Sequence, residues 1–458
     1  MAREEKASVW SSYTEADREA LEKLAAGYRD FLSTCKTERE SVVEAVRQAK
    51  AAGYRDLCDV LQAGEKLKAG DKVYAVNMKK SIVLFQIGED PLEKGLAILG
   101  AHIDTCRLDV KQNPLYEDGG LAYLDTHYYG GIKKYQWVTL PLALHGVVVK
   151  KDGTVVEIRI GEEEGAPVFC VTDLLIHLSQ EQMKKNAAKV IEGEDLDILV
   201  GNYPLKDGEK ESVKAGVLKL IEEQYGIEEE DFLSAELVLV PAGRARDLGF
   251  DRSMILAYGQ DDRVCAYAEL AAILQLEAPE KTAVCIFADK EEIGSEGVSG
   301  MQSEAFEHFM EKLCRTQNVP LTDCLAKSFC ISADVTAAYD PNFAEVYEKR
   351  NASYLNYGIG LCKYTGAGGK SGASDASAEV VGRLRKLFND NGVMWQMAEL
   401  GKTDAGGGGT VAKYMAKRNI DTLDAGVPVL SMHAPYETVA KLDCYMTYKG
   451  MKVFFEQN

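Results

Sequence analysis

From about residue 246 onward, short apolar runs alternate with longer segments of helical spacing. The apolar runs include MILAYG, TAVCIFA and FCISA, and the helical segments include RVCAYAELAAILQL and ASAEVVGRLRKLFND. A related apolar run, GLAILGAHIDT, lies near residue 100 and follows two predicted helices between residues 14 and 52. Because a helix carries the chain back before each new strand, this alternation predicts an α/β fold with a mainly parallel sheet.

The stretch from 107 to 245 has a different character. It contains the run HGVVVKKDGTVVEIRIG, which predicts a β-hairpin with Asp152 and Gly153 at its turn. Its remaining pieces are short predicted strands and acidic segments, and few of its side chains are candidates for catalysis. We therefore predict a catalytic domain in two parts, residues 1–106 and 246–458, interrupted by a β-rich insert at 107–245.

The composition indicates a cytoplasmic protein and argues against some partners. The 458 residues carry a net charge of −19, which repels nucleic acid and anionic membrane surfaces. Eleven cysteines are present without a CxxC pair, as expected for reduced thiols in a large cytoplasmic chain. No apolar run approaches the roughly 18 residues of a membrane span, and the N-terminal residues lack the apolar stretch of a secretory signal. We expect a cytoplasmic protein that binds neither nucleic acid nor membrane.

Residue types that bind metal ions follow five of the apolar runs. An isolated Asp at such a position is more often a helix N-cap, so each occurrence alone is a weak signal. Together they form a pattern, because the carboxyl ends of neighbouring strands in an open parallel sheet meet in one crevice. We therefore expect five strands to bring the following side chains to one edge: His102, Asp104, Asp261, Asp262, Glu291, Glu292, Asp334 and His433.

This set of side chains has the composition of a two-metal hydrolase site. Two histidines with several carboxylates suit Zn²⁺, Co²⁺ or Mn²⁺, and the lack of a thiolate set argues against a structural zinc site. Two such ions about 3.5–4 Å apart activate water, and a nearby carboxylate can accept its proton. Glu291 and Glu292 are adjacent, so their side chains point in different directions and can divide the roles of ligand and base. Asp104 lies two residues after His102 and is placed to orient its imidazole.

The remaining histidines receive different interpretations. His145, His177 and His308 lie in apolar or amphipathic segments, and we interpret them as structural. His127 lies in the Gly- and Tyr-rich segment DTHYYGG and is a candidate substrate-binding residue.

Taken together, the polar segments resemble those of the aspartyl/vacuolar-type metallo-aminopeptidases. The segments that carry the resemblance follow the family's order over roughly residues 70–450: GAHIDTCRLDVK, GQDDRV, DKEEIGSEGVSG, ISADVTAAYDPN, GASDASAEV and PVLSMHAPYE. The resemblance implies a zinc-exopeptidase catalytic domain interrupted by a β-rich domain that serves assembly and substrate access. It also implies a tetrahedral dodecamer whose interior chamber admits unfolded peptides only.

The resemblance further implies which residues bind metal. One zinc ion would be held by His102, Asp261 and Asp334. The other would be held by Asp261, Glu292 and His433, so that Asp261 bridges the two ions.

For catalysis, the resemblance implies a hydroxide that bridges the metals. Glu291 would be its general base, and Asp104 would support the neighbouring metal ligand. Lys363 in GLCKYTG matches the region where acid-preferring members carry a lysine, which makes it a candidate substrate-binding residue.

The chain departs from the family's pattern at three positions. Asp262 stands where the family commonly has Asn, and Ala337 stands where a His is often found. Asp173 in VTDLLIHL aligns with a His that reaches from the insert into a neighbouring subunit's site. These differences leave the preference for acidic or neutral N-terminal residues open.

We therefore predict a dinuclear metallo-aminopeptidase that removes N-terminal residues from peptides. The alternative is a carboxypeptidase or an N-acyl amino-acid deacylase with the same two-metal site, because these enzymes share the chemistry and differ in the end of the substrate they hold. A third hypothesis is a non-catalytic assembly protein. That hypothesis predicts eroded ligand positions, whereas all five ligand positions and the base are present.

Overall fold

The computed structural model describes Trp10 and residues 13–206, 208–366 and 368–458. The chain divides into two compact units. The first comprises Met1–Asp104, Ala245–Met432 and Glu437–Asn458, and the second comprises Thr105–Arg244 and His433–Tyr436. The second unit thus begins two residues before the start of the predicted insert and ends one residue before the end of it. It also includes a short segment, His433–Tyr436, from near the end of the chain.

The strands are numbered in chain order through both units. The first eleven are β1 (Arg55–Asp56), β2 (Lys72–Asn77), β3 (Ser81–Gln86), β4 (Leu96–His102), β5 (Arg107–Asp118), β6 (Leu121–Tyr129), β7 (Leu142–Val149), β8 (Val155–Ile160), β9 (Cys170–Val171), β10 (Ile198–Gly201) and β11 (Ala235–Pro241). The others are β12 (Arg246–Leu248), β13 (Met254–Ala257), β14 (Thr282–Ala288), β15 (Phe329–Ser332), β16 (Thr336–Ala337), β17 (Ile359–Cys362), β18 (Trp395–Met397), β19 (Asp421–Gly426), β20 (Pro428–Leu430) and β21 (Glu437–Ala440).

The helices are numbered in the same way. They are α1 (Glu15–Thr34), α2 (Glu38–Ala51), α3 (Leu57–Gln62), α4 (Ser212–Tyr225), α5 (Gln260–Leu274), α6 (Ala305–Gln317), α7 (Leu321–Leu325), α8 (Ala378–Asp390), α9 (Val411–Lys417) and α10 (Lys441–Gln457). At the start of α2, Thr37 and Glu40 form the capping box that the sequence predicts. No helix in the described ranges is long and apolar enough to cross a membrane.

The first unit is built on a nine-stranded sheet in the order β1-β2-β3-β14-β4-β15-β19-β17-β18. Its four central strands, β14, β4, β15 and β19, are parallel to one another. Antiparallel neighbours, β3 and β17, flank them on either side. The prediction of an α/β fold with a mainly parallel sheet is therefore confirmed.

Strand β4 is buried along its whole length because the sheet packs against helices on both faces. Successive side chains of a strand point to opposite faces. Leu99 and Ala101 face a core that contains residues of α5 and α10. Leu96 and Ile98 face the other core, which contains residues of α6 and α9.

A second sheet in the first unit has the order β12-β13-β21-β20-β16. Strands β13 and β20 belong to this sheet, so the expectation that five strands end at one edge is wrong. Of those five strands, β4, β14 and β15 lie in the larger sheet and bring their carboxyl ends to the same edge of it. The two misassigned strands both pair with β21, and an apolar run identifies a strand without indicating which partner it pairs with.

The second unit contains a seven-stranded antiparallel sheet in the order β8-β7-β11-β5-β6-β10-β9. Strands β7 and β8 form the predicted hairpin, and Gly153 in its turn has a φ of 85°. The inserted region is therefore β-rich, as the sequence predicts.

Candidate active site

Three side chains of the first unit converge beyond the carboxyl end of the central strands. His102 ends β4, Asp334 lies two residues after β15, and Asp261 lies in the first turn of α5. His102 Nε2 is 3.1 Å from Asp261 Oδ1 and 4.0 Å from Asp334 Oδ1. One potential ligand atom from each residue lies within 4.8 Å of those of the other two, so these residues can hold a metal ion together.

The orientation of His102 suits metal binding through Nε2. Its other ring nitrogen, Nδ1, lies 2.9 Å from the backbone carbonyl oxygen of Asp104, so an Nδ1–H group can donate to that oxygen. This hydrogen bond assigns the proton to Nδ1 and directs the Nε2 lone pair towards Asp261. The Asp104 carboxylate is slightly farther from the ring, at 3.4 Å from Nδ1.

Asp104 also organises the segment that carries the two adjacent glutamates. Its Oδ1 accepts the backbone N–H of Glu291 at 3.1 Å, and its Oδ2 accepts that of Glu292 at 3.2 Å. The segment is a single helical turn, Glu291–Ile293, entered through Lys290 at a φ of 68°. The carboxylate therefore satisfies two N–H groups at the start of that turn, as an N-capping residue does.

The turn presents the two glutamates differently. Glu291 Oε2 is 3.9 Å from His102 Nε2, and its side chain remains 17% exposed. Burial, followed by the charge of Asp261, raises the pKa of Glu292 well above its usual value. A neighbouring pair with one accessible and one desolvated carboxyl group can therefore carry out two different tasks.

The electrostatics of this region favour a bound cation. Burial is the main cause that raises the pKa of Asp334, and the charge of Asp262 adds to it. Burial alone would lower the pKa of His102, but its contacts with Asp104 and Asp261 outweigh burial and raise this pKa well above its usual value. Carboxylates crowded in a low-dielectric site repel one another, and a divalent ion relieves that repulsion. Nitrogen and oxygen donors of this kind fit zinc.

Asp262 lies in a different environment from Asp261. It is fully buried, and neither carboxyl oxygen has a hydrogen-bond partner among the described residues. Burial raises its pKa well above the usual range, because desolvation disfavours the charged form. A neutral carboxylic acid has nearly the shape of the Asn that the resembled family commonly carries here.

Glu437 is a buried residue whose role the sequence did not reveal. Its Oε2 accepts the backbone N–H of Asp261 at 3.0 Å. The only signal in the sequence is a charged residue at the start of the apolar strand β21, in a motif already noted for its histidine. Hydrogen bonds to backbone groups leave no periodic pattern, so this contact could not be predicted.

The remaining predicted residues are described within their own units. His433 belongs to the second unit, where its Nδ1 lies 3.0 Å from the carbonyl oxygen of Gly131. His127 is exposed on β6, and its Nδ1 lies 2.8 Å from the Tyr128 carbonyl oxygen. In the first unit, Lys363 follows β17 and pairs with Asp375 at 2.9 Å.

The other two residues that depart from the family pattern are Asp173 and Ala337. Asp173 is an exposed residue of the second unit and accepts a hydrogen bond from Gln182 Nε2 at 2.9 Å. Ala337 lies in β16 of the first unit, opposite Val429.

The sheet with parallel central strands and the His–Asp–Asp cluster beyond the ends of those strands define a metal-dependent hydrolase of the zinc-exopeptidase class. A comparison with known families identifies the particular group. The model of the family described as "Aminopeptidase I zinc metalloprotease (M18)" matches residues 31–455, and the chain belongs to this family. It is a zinc-dependent aminopeptidase, and the resemblance inferred from its motifs is confirmed.

Similar proteins cover nearly the whole chain. The "Probable M18 family aminopeptidase 1" of Clostridium acetobutylicum is 53% identical over 452 residues, which span 98% of this chain and 97% of the relative. The crystal structure of an M18-family aminopeptidase from Thermotoga maritima matches with a TM-score of 0.95 and 44% identity, over 99% of this chain and 100% of that one. A yeast mApe1 structure described as a dodecamer matches with a TM-score of 0.77 at 22% identity, over 94% of this chain and 96% of that one, and shows a shared fold.

Proposed function

We propose that this aminopeptidase uses two divalent ions, normally Zn²⁺, and a glutamate base to remove single residues from the N-terminus of peptides. The observation that carries the proposal is the convergence of His102, Asp261 and Asp334 beside the paired glutamates. Co²⁺ and Mn²⁺ are chemically suitable substitutes for the same donors.

The proposed ligand sets follow the family motifs. His102, Asp261 and Asp334 bind one ion, and their potential ligand atoms lie within 4.8 Å of one another. Asp261, Glu292 and His433 bind the other ion, so Asp261 contributes to both. The hydrogen bond that engages Nδ1 of His433 supports ligation through Nε2.

The chemical steps fall to residues beside the ligands. When bound, the ions lower the pKa of water and polarise the scissile carbonyl group. Glu291 accepts the proton of the attacking water and then donates it to the departing amine. Its partial exposure and its position 3.9 Å from His102 Nε2 suit this role. Asp104 keeps the base in place through the backbone of the turn that carries it.

The surplus of negative charge supports recognition of the amino end of a peptide. Asp104, Asp261, Glu291, Glu292 and Asp334 carry five formal negative charges against the four positive charges of two divalent ions, so the loaded site keeps a small negative surplus. A peptide's ammonium group is attracted to such a site, whereas its terminal carboxylate is repelled. This argument favours an aminopeptidase over a carboxypeptidase with the same metals.

Two further residues are proposed to contact the substrate. Lys363, which pairs with Asp375, would interact with an acidic N-terminal side chain. His127 would contact the peptide from the second unit. Replacing either residue with Ala should raise the KM for peptides, and comparison of Asp- and Leu-substrates will show whether Lys363 selects acidic residues.

We also propose that the chain assembles into a tetrahedral dodecamer, with the second unit serving assembly and substrate access. The dodecameric description of the yeast relative motivates this proposal. Leu174, Leu175, Ile176 and Leu178 are exposed together on the second unit, and apolar surface of that kind is typical of an interface. Light scattering should give twelve times the chain mass of 50.2 kDa. A monomeric mass at micromolar concentration would contradict the assembly proposal.

A substrate panel tests the proposed activity. Purified protein loaded with Zn²⁺, Co²⁺ or Mn²⁺ should release fluorophore from aminoacyl substrates with a free amine and leave their N-acetylated forms intact. Cleavage of acetylated substrates alone would identify a deacylase, and cleavage from the carboxyl end would identify a carboxypeptidase.

The role of Glu291 is tested with the same substrates. Glu291→Gln should retain two metal ions per chain and lose about 100-fold or more in kcat, because a positioned base contributes roughly that factor. Glu292→Gln is the matched control, since it removes the adjacent carboxylate and should lower metal content instead. Wild-type turnover by Glu291→Gln would exclude Glu291 as the base.

A further inference from the structure

Arg263 is a fully buried arginine on the first turns of α5, two residues after Asp261. Its Nε donates to the carbonyl oxygen of Gly259 at 2.8 Å, and its Nη2 donates to that of Tyr258 at 2.9 Å. Its Nη1 donates to the carbonyl oxygen of Cys35 at the end of α1. Within the described ranges no carboxylate forms an ion pair with this guanidinium, so backbone oxygens provide its hydrogen bonds.

The guanidinium and Gly259 occupy complementary spaces. Gly259 has a φ of 67°, which suits glycine. A Cβ atom built on Gly259 would lie 1.7 Å from Arg263 Nη2. The arginine head therefore fills the position that any side chain at residue 259 would need. The Tyr258 ring completes the pocket, with its centroid 5.1 Å from the guanidinium carbon.

The turn at Tyr258 and Gly259, to which Arg263 donates hydrogen bonds, leads directly into Asp261. On its other side, Gln260 Nε2 donates to the carbonyl oxygens of Ile255 and Glu437, at 3.1 and 2.6 Å. Asp261 itself has backbone angles outside the helical region, a φ of −79° and a ψ of 109°. Because the local helix does not impose this conformation, contacts to the turn must hold it.

We propose that Arg263 is a positioning residue that sets the carboxylate of Asp261 for metal binding. This inference rests on the proposed function, in which Asp261 contributes to both ions. A planar guanidinium can direct three donors in fixed directions at once, whereas an ammonium group is a compact charge on a flexible stem. A buried charge without a carboxylate partner is costly, and three charge-assisted hydrogen bonds to carbonyl oxygens offset that cost.

Metal affinity of Arg263→Lys tests this inference directly. Competition against a chromogenic chelator should show at least tenfold weaker Zn²⁺ binding than the wild type. The absorption spectrum of the Co²⁺-loaded variant should also shift in intensity, because it reports the ligand geometry rather than the stability of the fold. Arg47→Lys is the matched control, since Arg47 pairs with Glu44 on the exposed surface of α2.

A second variant guards against a folding defect in the first. Gly259→Ala retains Arg263 but places a methyl group where the guanidinium lies, so it should reproduce the weaker binding and the altered spectrum. Unfolding curves give the folded fraction of each variant, and each affinity is referred to that fraction. If Arg263→Lys does not fold, the result for Gly259→Ala decides whether Arg263 has the positioning role. Wild-type affinity and spectrum in the folded variant or variants would overturn the positioning role. Failure of the wild-type protein to bind metal would overturn the proposed function instead.

Discussion

The buried carboxylate of Glu437 accepts the backbone N–H of Asp261, with 3.0 Å between Oε2 and N. The contact joins β21 of the smaller sheet in the first unit to the start of α5. Strand β21 pairs with β13, so the same strand supports the chain on both sides of the turn that leads to Asp261. A candidate metal ligand is thus positioned through its main chain as well as through its side chain.

Replacing Glu437 should weaken metal binding without removing a proposed ligand. Glu437→Ala leaves the N–H of Asp261 without its acceptor, at a cost of about 1–3 kcal/mol for a buried donor. We expect roughly tenfold or greater loss of Zn²⁺ affinity by chelator competition. Glu437→Gln retains an acceptor oxygen and should lie between the wild type and the Ala variant. Equal affinity in all three proteins would show that this hydrogen bond does not matter for binding.

Asp104→Asn tests whether the turn that carries Glu291 and Glu292 needs the carboxylate of Asp104 or only a polar side chain there. The carboxylate accepts two N–H groups, one on each oxygen, whereas an amide has a single acceptor oxygen. We expect a loss of about 10- to 100-fold in activity or metal affinity, as for other residues that orient metal ligands. Asp152→Asn is a suitable control because Asp152 is an exposed residue of the β7–β8 turn that accepts the backbone N–H of Thr154. Steady-state kinetics and metal titration measure the effect, and wild-type values for both would refute it.

Removal of metal should destabilise the protein measurably. Burial, and after it the charges of neighbouring acids, raises the pKa values of Glu292 and Asp334, so keeping these groups ionised is costly when no cation is present. A ligand at 1,000 times its Kd stabilises the folded state by about 4 kcal/mol. We therefore expect chelation to lower the thermal unfolding midpoint and added Zn²⁺ to restore it. In a variant with both His102 and Asp334 changed to Ala, added Zn²⁺ should have a much smaller effect.

Asp443 predicts a pH dependence of stability outside the metal site. Its carboxylate accepts the backbone N–H groups of Asn356 and Gly358, and burial raises its pKa from the ordinary value of 3.8 to about 7. The folded state therefore binds more protons than the unfolded state between these values, and stability falls as pH rises through that window. The difference corresponds to about 4 kcal/mol.

Asp443→Asn should remove this contribution, because an amide does not titrate. Denaturant unfolding of both proteins from pH 4 to pH 8 measures the effect. The free energy of unfolding of the wild type, relative to the variant, should fall up to about pH 7 and then level off. A constant difference across the range would show that Asp443 does not titrate as described.

The elements that hold the site were predictable to different extents. Strands β4, β14 and β15 are buried runs that end in polar residues, and their shared edge follows from the rules for parallel sheets. The sheet that contains β13 and β20 was not predictable, because nothing in either apolar run indicates that it pairs with β21. Arg263 and Glu437 act on backbone groups brought close by the fold. Local sequence patterns encode side-chain periodicity, so such contacts become visible only in three dimensions.

The pairing of β21 with β13 has a consequence for synthesis of the chain. Asp261 emerges from the ribosome long before Glu437, yet its turn acquires its full set of hydrogen bonds only after β21 has been made. Contacts between residues so far apart in sequence form late, since closing a long loop costs entropy before the contacts compensate. A nascent or truncated chain that ends before residue 437 therefore lacks a finished site.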